Sequence, residues 1–155
     1  QNPTGFGKKK KDKIKIYSDI ADLEMASFKD AKPAISKALN SSDPVERYWG
    51  ATVCASFGGE AVSLYKELEL LTVDTQAFVR SRAIVALSRM GKVNPVPLMK
   101  EALQIAGSGA ESLLILNDIT YLQESNLGVH FNLQESDILQ KCSVTDWRLK
   151  YLSAK

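Results

Sequence analysis

The sequence has few of the residues that bind metals or carry redox chemistry, since its 155 residues include one histidine and two cysteines. Cys54 and Cys142 fit neither a zinc-ligand spacing nor a Cys-x-x-Cys motif. Cys54 lies in an apolar stretch, so we expect a buried thiol there, and a disulfide between the two cysteines is left open. His130 is predicted to be a single surface or loop histidine. The sequence therefore predicts no metal and no cofactor.

Catalytic motifs and membrane spans are absent from the sequence too. It contains no Walker loop and no G-x-G-x-x-G motif, and His130 has no motif partner with a nucleophilic serine or cysteine. No run approaches the roughly 18 apolar residues of a membrane-spanning helix, and no signal peptide is recognisable. The sequence begins at Gln1 rather than Met, which we interpret as a processed or excised product whose parent could have any location. We expect a segment with no membrane span and no catalytic residues.

The composition is that of an ordinary globular protein, with 45% hydrophobic and 25% charged residues, and the length corresponds to about one domain. The net charge of +2 is uneven, because residues 8–15 carry +5 and the remaining chain about −3. Gly5 and Gly7 precede the lysines, so we predict a basic flexible linker over residues 1–16, extended or irregular, and a folded domain over residues 17–155. The acidic balance of that domain argues against a nucleic-acid partner.

Helix signals dominate the rest of the chain, and strand signals are nearly absent. Ser18 is expected to cap a helix that runs to Phe28, and Pro33 is expected to open the next helix. Capping residues and terminal glycines then predict helix boundaries at Asp43-Pro44, Gly58-Gly59, Asp74 or Thr75, Gly91, Asn94-Pro95 and Gly107-Ser108-Gly109, with a further helix from Glu111 to Leu122. Short helices joined by short turns are typical of helical-repeat proteins.

The helices recur with a period close to 33 residues. Shifting the chain by 33 places Arg47 on Arg80, and a further shift of 32 places Leu87 on Ile119. A helix pair of this size cannot bury its apolar face alone, so successive pairs must stack. We predict an all-α right-handed superhelix of three to four helix pairs, with burial of the residues at matching repeat positions, Val53, Ile84, Leu87 and Leu116.

Two stretches resemble the first helix of a HEAT-like repeat, namely Phe78-Val79-Arg80-x-x-Ala83-Ile84-Val85-Ala86-Leu87-x-x-Met90-Gly91 and Asp43-Pro44-Val45-Glu46-Arg47-Tyr48-Trp49-Gly50-Ala51. The resemblance implies a HEAT-like or armadillo-type α-α superhelix. Small residues at Gly50, Ala51 and Ala83 would let neighbouring helices approach closely. An arginine near the start of such a helix could reach an acidic group or a helix-end carbonyl in the adjacent repeat.

A narrower resemblance covers roughly residues 17–155. The order of motifs is similar to the HEAT-like C-terminal region of bacterial secreted sulfatases of the arylsulfatase type, and runs through Tyr17-Ser18-Asp19-Ile20-Ala21, Arg47-Tyr48-Trp49-Gly50-Ala51, Val79-Arg80, Leu116-Asn117, Arg148 and Tyr151-Leu152. It implies a non-catalytic accessory domain of a sulfuric ester hydrolase, in the periplasm or outside the cell. Such a domain would pack on its own sulfatase catalytic domain or bind a protein partner.

Two parts of the chain depart from what a sulfatase would contain. Neither Cys54 nor Cys142 begins the Cys/Ser-x-Pro/Ala-x-Arg motif that sulfatases mature to formylglycine, so the resemblance extends to the accessory region and not to the catalytic one. Residues 125–141 match no part of the repeat pattern.

The candidate binding surface consists of Arg47, Tyr48, Trp49, Arg82 and Arg89, which offer charge and stacking area. The alternative for Trp49 is core packing between repeats, and for Arg47 it is an inter-repeat ion pair or a helix cap. Arg82 and Arg89 lie seven residues apart on one helical face, which favours an anionic partner. Two other functions stay open: a free-standing HEAT-repeat protein–protein interaction scaffold, and a nucleic-acid binder similar to HEAT-like DNA glycosylases, anchored by residues 8–15.

Overall fold

The computed structural model describes the backbone of residues 3–153 and the side chains of residues 8–153, and within these bounds the chain is helical with no strand. In chain order the helices are α1 (Pro3–Ala21), α2 (Phe28–Leu39), α3 (Pro44–Phe57), α4 (Tyr65–Leu71), α5 (Ala77–Arg89), α6 (Pro95–Ile105), α7 (Gly109–Glu124) and α8 (Thr145–Ser153). Short 3-10 helices cover Asp22–Met25, Gly58–Leu64 and Glu135–Asp137. The predicted all-α class is confirmed. None of the described helices is long and apolar enough to cross a membrane.

Several helix boundaries that rest on capping residues are confirmed. Asp43 accepts a hydrogen bond from the backbone N–H of Val45 at 2.9 Å, and α3 begins between them at Pro44. Gly58 ends α3 with a φ of 56°, a left-handed conformation that glycine adopts without the steric cost of a side chain. Asn94 caps α6 as Asp43 caps α3, through a backbone N–H at 3.1 Å. These ends could be predicted because each depends on residues adjacent in sequence.

The predicted starts of the first two helices are wrong. Ser18 lies inside α1, and Pro33 lies inside α2 rather than at its start. The true cap of α2 is Ser27, whose hydroxyl oxygen accepts the backbone N–H of Asp30 at 3.2 Å. Because Ser27 satisfies the first orphan N–H groups, the helix begins more than one turn before Pro33.

The segment predicted to be an extended linker is also helical. Helix α1 runs through residues 3–21, so the predicted boundary after residue 16 falls inside it. Lysine is a good helix former, and Lys15 pairs with Asp19 one turn later at 2.7 Å. Tyr17 donates a hydrogen bond to Asp43 at 2.8 Å and thereby holds α1 against α3. Helix propensity and this tertiary contact prevail over the two glycines that suggested a linker.

Helix packing follows one pattern along the chain. Each odd-numbered helix from α1 to α7 contacts the next odd-numbered helix, and α8 packs on α7. Helix α2 contacts α1 and α3, α4 contacts α5, and α6 contacts α5 and α7. Together with the contacts between odd-numbered helices, this places α3, α4, α6 and α7 against α5. The predicted core positions are at most 1% exposed, as expected for Val53, Ile84, Leu87 and Leu116.

Close approach between helices at small residues is confirmed. A Cβ atom at Gly50 would lie 3.1 Å from the Cβ of Ala38 and 3.2 Å from the backbone nitrogen of Leu39, so a hydrogen there lets α3 sit tightly on α2. Ala51 on α3 and Ala83 on α5 are both fully buried. Gly50 therefore sets the close spacing of α2 and α3.

Residues 125–144, most of which matched nothing in the repeat pattern, form an irregular segment packed into the core. Phe131, Leu133 and Ile138 are at most 3% exposed. The amide of Gln104 on α6 donates to the carbonyls of Ser136 and Asp137 at 3.1 and 2.9 Å, and so fixes the 3-10 turn against α6. This segment packs against α6 through its 3-10 turn without forming an α-helix of its own.

Candidate binding groove

Arg47 was predicted to belong to a binding surface or, alternatively, to form an ion pair between repeats. The structure shows the ion pair. Its Nε and Nη2 donate to the two carboxylate oxygens of Asp74 at 2.7 and 3.0 Å, and its Nη1 donates to the carbonyl of Ser41 at 2.9 Å. Asp74 in turn accepts the N–H of Gln76, which is the N-cap of α5 in place of the predicted Asp74 or Thr75. Arg47 therefore connects the start of α3 to the start of α5.

Tyr48 and Trp49 form an aromatic contact at the edge of the core. Their ring centroids lie 5.6 Å apart in an edge-to-face arrangement, and the Tyr48 ring lies 5.7 Å from that of Phe78 on α5. Tyr48 packs on the hydrophobic core, whereas Trp49 is half-buried beside it. Tyr48 thus helps to position the next predicted residue, Arg82.

The Arg82 guanidinium lies between an aromatic ring and a carboxylate. Its Cζ is 5.1 Å from the centre of the Tyr48 ring, and its Nη1 is 3.4 Å from the Oδ1 of Asp118 on α7. The other oxygen of Asp118 accepts the hydroxyl of Ser81. The Nε of Arg82 is buried without a hydrogen-bond partner, which the cation–π contact compensates in part.

Asp118 is the most deeply buried charged group of this region, with 4% of its surface exposed. Burial removes water from the carboxylate and raises its pKa, while the nearby Arg82 and the hydroxyl of Ser81 act in the opposite direction. The carboxylate therefore depends on Arg82 for its charged form, and the pair ties α5 to α7.

Helix α8 supplies a second arginine to α7. Arg148 donates to Thr120 at 2.6 Å and to the side-chain oxygen of Asn117 at 2.8 Å, and its Cζ lies 5.3 Å from the centre of the Trp147 ring. The Trp147 ring stacks on that of Tyr151 at 5.5 Å. We call Asn117, Asp118 and Thr120 the α7 polar strip, because these residues hold an arginine from each neighbouring helix.

A groove crosses the face that α3, α5 and α7 share. Its volume is about 340 Å³, and it is lined by Thr52, Ala55, Ser56, Arg82, Val85, Arg89, Asn117, Asp118 and Tyr121. A second cavity of about 250 Å³ shares Arg89 and Tyr121 with the first and continues to Ser125, Asn126 and Leu127. The prediction that Arg82 and Arg89 share one face is therefore confirmed, whereas Arg47, Tyr48 and Trp49 do not line this groove.

Arg89 differs from the other arginines of this face. Its side chain is exposed and makes no hydrogen bond or ion pair with any residue whose side chain the structure describes. Arg82 is matched by Asp118, so the groove retains about one unmatched positive charge. Its charge balance favours a negatively charged or acceptor-rich ligand.

Several groove residues were missed from the sequence, above all Asn117, Asp118 and Tyr121. One signal was available, because Asn117 and Asp118 interrupt an otherwise apolar run from Leu113 to Ile119. A carboxylate inside an apolar helix needs a partner, and that partner is Arg82 on another helix. Sequence spacing alone does not reveal which helix supplies it.

The two cysteines and the histidine do not line the groove. Cys54 is fully buried, and desolvation together with the Glu67 carboxylate raises its pKa to about 12, which confirms the predicted buried thiol. Cys54 and Cys142 are both free, and His130 is exposed in the segment after α7, as predicted. Within the described residues, no three His, Cys, Asp or Glu side chains lie close enough together to hold a metal ion.

No protein-family model, curated protein or solved structure matches this chain. Support for a function therefore comes from the chain's own residues and from the resemblance of its helical motifs.

Proposed function

We propose that this chain is a non-catalytic, HEAT-like helical-repeat module that binds protein. The observation that carries the proposal is the regular contact of α1, α3, α5 and α7, each with the next, which is the neighbour pattern of stacked helix pairs. Side-chain bridges from Arg47 and Arg82 join consecutive odd-numbered helices. A stack of this kind presents an extended face built from several helices, and the groove lies on it.

The finer proposal is that the module is the C-terminal accessory domain of a bacterial sulfatase and packs on its catalytic domain. The motif order supports it, and so does an apolar cavity of about 370 Å³ between α1, α2 and α3. Ile16 on α1 lines this cavity and is 43% exposed. In the resembled proteins the catalytic domain precedes the repeats, so this first-helix face is where we place it. On that resemblance the module is periplasmic or extracellular.

The first test uses the complete reading frame that contains these residues. We expect it to encode a Cys/Ser-x-Pro/Ala-x-Arg motif upstream and to hydrolyse an aryl sulfate, while the 155-residue chain assayed beside it shows no turnover. A reading frame without that motif would overturn the sulfatase part and favour the free-standing protein-interaction scaffold. Turnover by the chain alone would overturn the non-catalytic assignment.

The second test addresses the docking face. In the complete protein, Ile16→Asp should lower the melting temperature and the aryl sulfate turnover, because a charge would enter an apolar interface. Val73→Asp is the matched control, since Val73 is 68% exposed in the turn before α5. Equal effects of the two substitutions would contradict docking through α1.

Nucleic-acid binding is tested by titration at about 50 and 200 mM salt. The lysines on α1 should give weak binding that the higher salt largely removes, because the rest of the chain carries about −3. Tight binding at the higher salt would instead support the nucleic-acid alternative.

A further inference from the structure

We infer that the groove between α3, α5 and α7 binds an extended acidic segment of the partner protein, with Arg89 as the residue that contacts its carboxylate. This inference rests on the proposed binding function and names the chemistry of its ligand. Within the groove, Arg82 forms an ion pair with Asp118, whereas Arg89 forms none with a described residue.

Free N–H donors in the groove come from Asn117 and Arg89, because the hydroxyls of Thr52 and Ser56 already donate to the Tyr48 carbonyl and the Glu24 carboxylate. Asn117 uses its side-chain oxygen to accept from Arg148, which leaves its amide N–H groups as donors. Asp118 has one oxygen beside Arg82 and the other on a serine hydroxyl. Arg89 adds five N–H donors that no described side chain accepts, so a carboxylate satisfies the groove better than a neutral or cationic group does.

The shape of the groove favours a chain over a single anion. The two cavities of about 340 and 250 Å³ meet at Arg89 and Tyr121, so the unmatched charge lies near the middle of a longer depression. Apolar contact is available beyond Arg89 from Leu127, which is 43% exposed. An extended segment with an acidic residue at its centre would use all of these contacts.

Replacing Arg89 should have little effect on the stability of the fold, so its contribution to binding can be measured separately. Arg89 is the last residue of α5, where a positive side chain interacts favourably with the helix dipole, but it is exposed and supports no other side chain. Replacing it should leave the fold intact and change only the ligand contact. Arg82 lacks this property because it neutralises Asp118.

The test measures binding of a fluorescein-labelled hexaglutamate peptide to the chain by fluorescence anisotropy, with hexaglutamine as the neutral control. Arg89→Gln should weaken hexaglutamate binding about tenfold or more, the effect expected for loss of a hydrogen-bonded charge. Lys92→Gln removes the same charge from an exposed position outside the groove and should change binding less than about twofold. Circular dichroism of each variant checks that the fold is retained.

A second variant separates the groove from the lysines of α1. Substitution of Lys8, Lys9, Lys10 and Lys11 by Gln should leave the Arg89-dependent part of the affinity unchanged. If this variant abolishes binding while Arg89→Gln has no effect, the groove assignment is wrong although the chain still binds acidic protein. Two other results would overturn an acidic segment as the ligand. One is that hexaglutamine binds as tightly as hexaglutamate. The other is that millimolar phosphate displaces hexaglutamate and that the affinity does not depend on peptide length.

Discussion

The substitution Leu87→Ala tests whether α5 is the centre of the packed core. Leu87 is fully buried on α5, the helix against which α3, α4, α6 and α7 all pack. Removing its three terminal carbons forfeits about 2.4 kcal/mol of transfer free energy at about 0.8 kcal/mol per buried carbon. The cavity adds to this loss, because surrounding helices relax only partly.

We expect Leu87→Ala to lower the free energy of unfolding by about 2–5 kcal/mol, in the upper half of that range. For a chain of this length that corresponds to a fall in melting temperature of about 6–15 °C. The assay is urea denaturation followed by helical circular dichroism and by tryptophan fluorescence, which report on the whole chain and on Trp49 and Trp147. An unchanged m-value would show that the change is one of stability rather than of the denatured state.

The matched control is Leu70→Ala, because Leu70 is 70% exposed on α4. Its truncation should change the free energy of unfolding by less than about 0.5 kcal/mol. A loss below about 1 kcal/mol at Leu87, or similar losses at both leucines, would refute the repeat register that places Leu87 in the core.

Three further predictions concern helix connections and thiols. Arg47→Met should lower the free energy of unfolding by about 2 kcal/mol or more, measured by thermal denaturation, because the Asp74 carboxylate, 7% exposed, loses its cation. Gly109→Ala should lower it by about 1–3 kcal/mol in urea, because the new Cβ would lie 2.5 Å from a backbone carbonyl oxygen. At about pH 8 the half-exposed Cys142 should react with a thiol reagent well before Cys54, whose pKa of about 12 and burial keep it a protected thiol until the chain unfolds.

Each of these predictions has a control. Adding Asp74→Asn to Arg47→Met should recover part of the lost stability, and no recovery would argue against the ion pair. Gly107→Ala places its Cβ no closer than 3.5 Å to a neighbour and should be nearly neutral. Cys142→Ser should remove the fast thiol reaction, and a fast phase that persists in this variant would show that Cys54 is accessible.

Helix ends could be predicted where the capping residue lies next to the end that it defines. The caps Asp43 and Asn94 and the terminal Gly58 lie next to the ends they define, and each was identified from adjacent residues. Charge and glycine content predict an extended linker before Tyr17, whereas the chain is helical there. Its helix depends partly on Asp43, 26 residues away, which accepts the Tyr17 hydroxyl.

The irregular segment after α7 shows the limit of helical periodicity as a guide. Val129, Phe131 and Leu133 alternate with polar residues, a pattern with a period of two that a search for helical repeats does not detect. Burial of Phe131 and Leu133 against the core is a tertiary effect, and Gln104 on α6 fixes the turn that follows.

Part of the groove could be predicted from residue spacing within one helix. Helix geometry places Arg82 and Arg89 on one face of α5 from their spacing alone. Which of the two is free depends on Asp118 and Tyr48, which come from other helices and lie 36 and 34 positions away in sequence. A partner at such a distance is specified by packing, so the sequence could name the candidates but not divide their roles.

That division of roles decides how the groove has to be tested. Replacing Arg82 by a neutral residue would leave Asp118 nearly buried, without its cation, and would remove the contact of α5 with Tyr48. The carboxylate would then take up a proton or draw in water, and the packing of α5 on α7 would change with it. Weaker peptide binding by such a variant would be the expected result of a damaged fold as much as of a lost contact. Arg89 neutralises no buried carboxylate. If Arg89→Gln loses hexaglutamate binding while its melting temperature is unchanged, the loss is therefore due to the missing contact with the ligand.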